Sequence, residues 1–522
     1  MQYDVILVTG EEYFDHPLCG TAIMKRLLEK YGYEVAIIEL PTKEEDMMEY
    51  GEPKLFFGIS SGSVDTMVKN YTPMKKHRGE DKHLKRDHDR YAPDRAVTVY
   101  SNWIKSKYKE SKIIIGGTES SLRRFVHFDY WQNRLRNPII FDARADILVY
   151  GNGEKPILEI SNRLKTGKDL VGIKGTCIIS KEIPEGFIEL PSAEEVKADK
   201  EKFCDQQNLI SNKKNLAQKI DTRYCLQYES PIYTPADLDE YYELPFSRQS
   251  PKELRGFEFS VITHRGCIGR CNFCALTLLQ GDRIVSRSEE SIIREIKYIT
   301  TLAHFKGNID DVGGPSANMY GIDCNDCNAV CLKCPKLITD NRRMIDLLKR
   351  ARSVNGVKNV YIKSGIRYDL ANEEYIKEVA EHHIFDTLRV APEHVVPEVI
   401  KLMGKDEGDL EMFKTQFHKY AKGKKLAYYY MTAHPGSTQK EADELGRVIK
   451  KERNTESVQV FTPTPMTAST CMYYTEMDPK TKKKVYVPHT YNEKKMQKRA
   501  CMEEDEIMSG SNDTSWHYKP KR

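Results

Sequence analysis

The sequence predicts an α/β protein with two main units. The first is an N-terminal doubly wound parallel sheet over residues 1–165, and the second a partial (β/α)6 barrel of the TIM type over residues 256–478. Three observations carry this reading. Short apolar runs alternate with helix-like periodicity along the first 165 residues. Six strand–helix units follow Phe257, too few to close an eight-stranded barrel. A group of cysteines stands directly after the first strand of that second series. A chain of 522 residues is also too long for one ordinary core.

In the first unit the expected strands are Tyr3–Val8, Glu34–Glu39, Leu55–Ser60, Lys112–Ile115 and Asp146–Tyr150. Between the first two, Ile23, Met24, Leu27 and Leu28 recur at helical spacing within Cys19–Tyr31. A second helix runs from Arg95 to about Tyr108, and a third follows Gly151-Asn152-Gly153-Glu154. Ligands of such sheets bind outside the carboxyl ends of the strands, where Thr9-Gly10-Glu11 and Gly116-Gly117-Thr118-Glu119 sit. Lys75–Arg90 is almost devoid of apolar residues and reads as an exposed insertion. Arg123 and Arg124 allow two readings of equal weight: a bidentate grip on a phosphate or carboxylate, or surface ion pairs with nearby acids.

Residues 166–255 lose the alternation and are punctuated by prolines, which suggests a connector with a few short helices. In the second unit the expected strands are Glu258–Thr263, Ile309–Val312, Val357–Lys363, Phe385–Val390, Lys425–Met431 and Ser457–Phe461. Helical stretches separate most of them: Glu289–Leu302 aligns Ile292, Ile293, Ile296 and Ile299, and Ser437 or Thr438 can cap a helix carrying Ala442, Leu445, Val448 and Ile449. Residues 479–522 read as a polar, charge-segregated tail, with RNA contact through Lys480–Arg499 as the minority reading. The balance of 81 Lys+Arg against 77 Asp+Glu excludes a strongly basic nucleic-acid coat or an acidic tail protein. The apolar opening lacks a basic leader, and no run approaches the roughly 18–20 residues that span a bilayer, so a cytoplasmic protein without membrane contact is expected.

Thirteen cysteines, seven of them between Cys267 and Cys334, point to metal ligation rather than a disulfide framework. Cys267, Cys271 and Cys274 form C-x3-C-x2-C. Three thiolates leave one iron of a four-iron cluster without a protein ligand, a position open to a small molecule. Gly266 and Gly269 let such a loop curl around a bulky cluster. The competing reading is structural zinc with His264 as fourth ligand. The iron–sulfur reading is preferred because the motif stands where barrel-like domains keep their chemistry. Cys324, Cys327, Cys331 and Cys334, spaced C-x2-C-x3-C-x2-C, suggest a second metal site for zinc or another iron–sulfur cluster.

At His264-Arg265-Gly266-Cys267-Ile268-Gly269-Arg270-Cys271-Asn272-Phe273-Cys274 the chain resembles the radical S-adenosylmethionine (SAM) superfamily. Within it the chain resembles the YgiQ-type family along nearly its whole length. The segments that carry this are Asp15-His16-Pro17, Leu55-Phe56-Phe57-Gly58, Gly116 to Arg124, Tyr150 to Glu154, Asp311 to Tyr320, Ala391-Pro392-Glu393-His394, Ala433 to Gly436 and Phe461 to Pro465. The resemblance implies a 4Fe-4S cluster on Cys267, Cys271 and Cys274, with SAM on the open iron and its methionine amino group received by the backbone of Gly313 and Gly314. Pro315 stands where the superfamily commonly has Glu. It implies reductive cleavage of SAM to a 5′-deoxyadenosyl radical that attacks a substrate, with flavodoxin or ferredoxin as electron donor.

The N-terminal sheet resembles the cobalamin-binding fold that precedes many radical SAM domains. The usual D-x-H-x-x-G is altered, because Asp15 and His16 are adjacent and Gly20 follows four residues later. Cobalamin is therefore not expected. Two alternatives to a radical SAM enzyme of unassigned substrate remain: a cobalamin-dependent radical methyltransferase, and a zinc-stabilised adaptor for RNA or protein. Arg367 or Arg389 can pair with the SAM carboxylate and His394 or His434 can handle a substrate proton; structural hydrogen bonds at strand ends account for each equally well.

Overall fold

Val5–Thr9 is buried along its whole length, as a parallel strand covered on both faces must be. The computed structural model describes residues 2–78, 91–249, 256–324, 332, 334–405, 408–452 and 455–502. In it, Val5–Thr9 pairs in parallel with Val35–Glu39 on one side and Phe56–Ser60 on the other. Ile113–Gly116 and Ile147–Val149 continue the sheet in parallel. Helices Gly20–Lys30 and Glu154–Lys165 cover one face through Leu28, Ile157 and Ile160. Ala96–Lys107 covers the other through Val97, Tyr100 and Ile104.

Residues 166–255 are more than the connector expected. Thr176–Ser180, Arg223–Gln227, Leu216–Ile220 and Ile188–Leu190 extend the sheet, in that order, to nine strands. Their first three junctions are antiparallel and the last is parallel. Polar residues interrupt their apolar runs even where they are buried, as at Gln218 and Gln227, and the edge strand Ile188–Leu190 buries only Leu190.

In the second unit Ser260–Ile262 runs parallel to Asp311–Gly313, and Asn308–Ile309 to Asn359–Val360. A parallel bridge from Ile366 to Val390 leads to the parallel trio Thr387–Glu393, Lys425–Thr432 and Thr455–Val460. Helix Glu289–Thr300 seats Ile292, Ile293, Ile296 and Ile299 on this core, each side chain contributing about 1.5–3 kcal/mol. Helix Gln439–Glu452 buries Ala442, Leu445 and Ile449.

The polar tail also needs correction. Tyr491–Ala500 is a helix that crosses Gln439–Glu452 at Gly446, where a Cβ would lie 2.0 Å from the Ala500 carbonyl oxygen. Lys494 is buried, and its Nζ donates to the hydroxyls of Tyr130 and Tyr473 at 2.8 and 2.9 Å. Lys482 donates to Asp205 at 2.6 Å. The basic run is thus partly built into the fold, its apolar stems packing where its charges suggested solvent. Residues 503–522, and 79–90 of the expected insertion, lie outside the described residues. Lys75 lies over the Tyr130 ring at 4.5 Å. Among the described residues no helix is long and apolar enough to cross a membrane.

Burial, helped by Lys75, lowers the Lys494 ammonium from 10.5 to about 7. Between those values the unfolded chain holds a proton that the folded chain does not, so stability rises with pH across the window. Lys494→Met keeps the stem without the amine and should flatten that rise. Tm measured from pH 7 to 10 on both proteins reads the difference, and equal slopes contradict the assignment.

Candidate functional site

The site is built where two neighbouring parallel strands end. Ile262 lies opposite Gly313, and the Thr263 amide donates to the Gly313 carbonyl at 2.8 Å. One strand runs on into the cysteine loop and the other into Gly313-Gly314-Pro315, so the pairing alone brings together two segments about 45 residues apart in sequence. A Cβ on Gly314 would lie 2.6 Å from the His264 ring, which fills the space beneath the pair. His264 is fully buried, has Nδ1 2.9 Å from Thr263 Oγ1, and is pushed down to about 3 by burial. Its Nε2 has no hydrogen-bond partner among the described residues. His264 is therefore engaged with the glycine pair. Among the described residues no three His, Cys, Asp or Glu side chains gather to hold a metal ion.

His264–Arg265 pairs antiparallel with Val285–Ser286, and the chain then turns through Gly266 at φ +88°. Only glycine fits there, because a Cβ would meet the Arg283 carbonyl oxygen at 1.7 Å. The Cys267 amide donates to the Gly281 carbonyl at 3.1 Å and that of Cys274 to the Cys271 carbonyl at 3.0 Å. All three thiols are half-buried. Burial pushes Cys271 up to about 11 and Cys274 up to about 12, while Lys405 and Arg367 pull Cys271 the other way. Soft thiol donors beside two cations suit an anionic cluster.

Residues whose part in holding the loop the sequence reading did not foresee, Arg367 among them, surround it. Asn272 donates its backbone and side-chain N–H groups to the carbonyls of Met403 and Leu402 at 2.7 and 2.9 Å, and its own carbonyl accepts the Ser469 amide at 2.9 Å. Arg265 bridges to Glu154 at 2.7 Å and so ties the loop to the N-terminal unit. Arg367 Nη1 lies 3.9 Å from Cys271 Sγ, and a bidentate contact with Asp369 at 3.0 and 2.8 Å orients the guanidinium. Asn318 brackets the Arg367 backbone at 2.8 and 3.0 Å. A contact path therefore runs from the glycine-pair loop through Arg367 to a thiol. Asn272 and Arg265, inside the cysteine motif, offered the local signal; the others depend on tertiary contacts.

His434, Arg123 and Arg124 take structural places, while His394 keeps one ring nitrogen, Nε2, without a partner among the described residues. His434 donates through Nδ1 to the Pro435 carbonyl at 2.8 Å and accepts the Ser469 hydroxyl on Nε2 at 2.7 Å; burial pushes it down to about 3. His394 accepts the Val396 amide on Nδ1 at 3.1 Å, and burial lowers it to about 4. Arg389 belongs to the strand Thr387–Glu393. Arg123 and Arg124 are both buried, which corrects the surface reading and the phosphate reading alike. Arg123 pairs with Asp65. Arg124 donates to Gln227 and Asn212, both at 2.7 Å, and lies over the Tyr150 ring. Of the second cysteine group, Cys324 and Cys334 are half-buried, while Cys327 and Cys331 lie outside the described residues.

His16 is likewise taken up. Its Nδ1 accepts the Leu18 amide at 3.0 Å, and its Nε2 lies 3.0 Å from both the Glu258 carbonyl and Arg248 Nη1. Burial and the neighbouring Arg248 hold it neutral.

Residues 1–260 match the sequence profile described as Radical SAM N-terminal, and residues 456–503 match a domain of unknown function, DUF3362. A UPF0313 protein of Fusobacterium nucleatum is 42% identical over 538 residues, covering 95% of each chain. The chain belongs to the UPF0313 family, within the radical SAM superfamily. A UPF0313 protein of Methanocaldococcus jannaschii is 40% identical over 545 residues, covering 97% of this chain and 90% of its own. Two solved structures share the architecture of this UPF0313 protein. The radical SAM methyltransferase TsrM from Kitasatospora setae, with cobalamin and a [4Fe-4S] cluster bound, has a TM-score of 0.57 at 15% identity over 97% of this chain and 92% of that one. The cobalamin-dependent SAM radical enzyme OxsB, with aqua-cobalamin bound, has a TM-score of 0.52 at 12% identity over 91% and 55%. At these identities the likeness is one of fold, an α/β architecture with a large, mostly parallel sheet.

Gly266→Ala should destabilise the protein by roughly 2–5 kcal/mol, combining a left-handed φ with a backbone overlap. Gly281→Ala, also at positive φ but with nothing within 4 Å of the added Cβ, should cost about 1–2 kcal/mol. Urea midpoints of the two variants test the contrast, and equal losses contradict the close approach at Gly266.

Proposed function

We propose that this UPF0313 protein is a radical SAM enzyme. One observation carries the reading: the cysteine loop and the Gly313–Gly314 pair leave the carboxyl ends of adjacent parallel strands. Six parallel strand units with the loop after the first support a partial (β/α)6 barrel with its site at the strands' carboxyl ends. Cys267, Cys271 and Cys274 would hold a 4Fe-4S cluster, and the backbone of Gly313–Gly314, packed against the His264 ring, would receive the methionine amino group of SAM. A cluster held there and reduced by a flavodoxin- or ferredoxin-type donor would supply the one-electron reduction that cleaves SAM for hydrogen abstraction from a substrate.

The chain's own residues prepare this chemistry. Gly266 lets the loop close, and Asn272 fixes it to the segment before Gly404. Arg367 and Lys405 offset negative charge on the thiolates, and the Arg367 N–H points to Cys271 sulfur. Phe273 and Phe461 flank the neutral His434 at 6.4 and 5.1 Å between ring centres, an apolar wall that limits water near the loop. His16, with both ring nitrogens bonded within the protein, gives no support to corrinoid ligation. Buried Lys494 likewise gives none to an RNA adaptor.

Anaerobically reconstituted protein should contain iron and sulfide and should form 5′-deoxyadenosine from SAM with dithionite. Cys267→Ala and Cys274→Ala should keep the fold by circular dichroism and lose both signals. Colourless protein that contains zinc without iron, or a full cluster that yields no deoxyadenosine, overturns the reading. Arg367→Met should keep the iron content and move the cluster potential to more negative values, because a hydrogen bond to a ligand sulfur stabilises the reduced state. A redox titration with an unchanged midpoint would exclude that role for Arg367.

A further inference from the structure

Residues 456–502, within the domain of unknown function, touch both the N-terminal unit and the cysteine loop. On one side Gln207 donates to the Met466 carbonyl at 3.0 Å, Asn208 to the Pro479 carbonyl at 2.7 Å, and Lys494 to the Tyr130 hydroxyl at 2.8 Å. Helix Ala468–Thr475 meets helix Lys200–Leu209 there, with Cys471 Sγ 3.7 Å from Cys204 Sγ. On the other side Gln497 holds the turn after Lys425–Thr432. Its side-chain oxygen accepts the Ala433 amide at 3.0 Å, and its side-chain nitrogen donates to the Ser437 carbonyl at 2.7 Å. Ser469 reaches the cysteine loop itself. Its amide donates to the Asn272 carbonyl at 2.9 Å, and its hydroxyl to His434 at 2.7 Å.

The Ser469 amide is available because of its place in the helix. It belongs to the second residue of Ala468–Thr475, and first-turn N–H groups have no acceptor within their own helix. Thr467 takes the next two: its Oγ1 accepts the Thr470 amide at 3.2 Å and its carbonyl the Cys471 amide at 3.1 Å. The Ser469 amide goes to the loop instead. Asn272 directly follows Cys271 and stands two residues before Cys274. Its N–H is held on the Met403 carbonyl and its carbonyl on the Ser469 amide, so the peptide planes on both sides of it are fixed. Peptides are planar, and two fixed planes leave Asn272 neither of its soft dihedrals. A turn about either one would swing Cys271 relative to Cys274, and a cluster needs its thiolates in register.

We propose that this C-terminal segment is the clamp of the cysteine loop, with Ser469 as the positioning residue that sets Cys271 and Cys274 through the Asn272 carbonyl. What the loop is for rests on the radical SAM reading; the clamp rests on the contacts alone, so its test uses cluster-free protein. Ser469→Pro deletes the one N–H in a helical turn that tolerates proline. Ala468→Pro puts the ring one residue earlier, at the position proline prefers, and keeps the Ser469 amide. Ser469→Ala keeps the amide and loses the bond to His434.

Full-length protein, reduced and anaerobic, is treated with iodoacetamide, and the rate at each cysteine is followed by mass spectrometry. In Ser469→Pro, Cys271 and Cys274 should react about tenfold faster than in wild type or Ala468→Pro, the ratio that about 1.4 kcal/mol sets. The buried Cys177 and Cys225 should keep their rates, a selectivity that a merely weakened fold would not give. Ser469→Ala should react as wild type does. Equal rates at Cys271 and Cys274 in Ser469→Pro and Ala468→Pro overturn the proposal. Should Ser469→Pro raise every cysteine alike, it has unfolded, and hydrogen exchange in the wild type decides: a Ser469 amide as protected as that of Tyr473 inside the helix supports the clamp, and a freely exchanging one overturns it. Deoxyadenosine formation is measured apart, and its absence beside selective alkylation would remove the radical SAM reading and leave the clamp.

Discussion

The architecture depends on one buried charge cluster. Glu295 is bound by both Arg248 and Arg287, all three within the protein interior. Arg248 also donates to the carbonyls of Glu258 and Ser260 at 3.0 and 2.9 Å, while its own amide donates to the Asp15 carbonyl at 3.0 Å. Arg287 donates to the Ile262 carbonyl at 2.9 Å. The strand that delivers the cysteine loop is thus gripped from both ends by guanidinium groups, and the N-terminal sheet is attached through Asp15 and His16. Removing one member of such a cluster strands a charge at a cost of about 3–5 kcal/mol. The position of the thiols relative to the sheet is set by this arrangement.

Given that anchor, the rest of the site follows from short-range geometry. Parallel pairing sets the glycine pair beside the loop, and the His264 ring fixes how closely Gly314 approaches. Asn318, Arg367 and Asp369 then carry an oriented N–H to Cys271. His264, His394 and His434 are all driven toward the neutral form by burial. The positive charge near the thiols therefore comes from Arg367 and Lys405.

The sequence reading succeeded where a local pattern has a single physical meaning. All five parallel strands of the first unit could be read because strands buried on both faces show uninterrupted apolar runs. The six strand positions of the second unit were equally clear, as was the isoleucine face of Glu289–Thr300. It failed where charge was taken as a sign of exposure. Arg124 and Lys494 lie inside, bonded to neutral oxygens and stacked on tyrosine rings. The four strands within 166–255 escaped because polar residues, some of them buried such as Gln218 and Gln227, break their apolar runs.

The sequence by itself determined the α/β class, the parallel strands of the first unit and the strand positions of the second, and it carries the three-cysteine motif and the glycine pair, because each is written in residues close together along the chain. Only the tertiary structure decided what surrounds them. Asn272, Arg367 and Lys405 are set against the loop, His16 is locked between segments, and Glu154 is buried against Arg265. These contacts join residues dozens to hundreds of positions apart. Burial and hydrogen-bond partners at that range depend on packing, which no local spacing encodes.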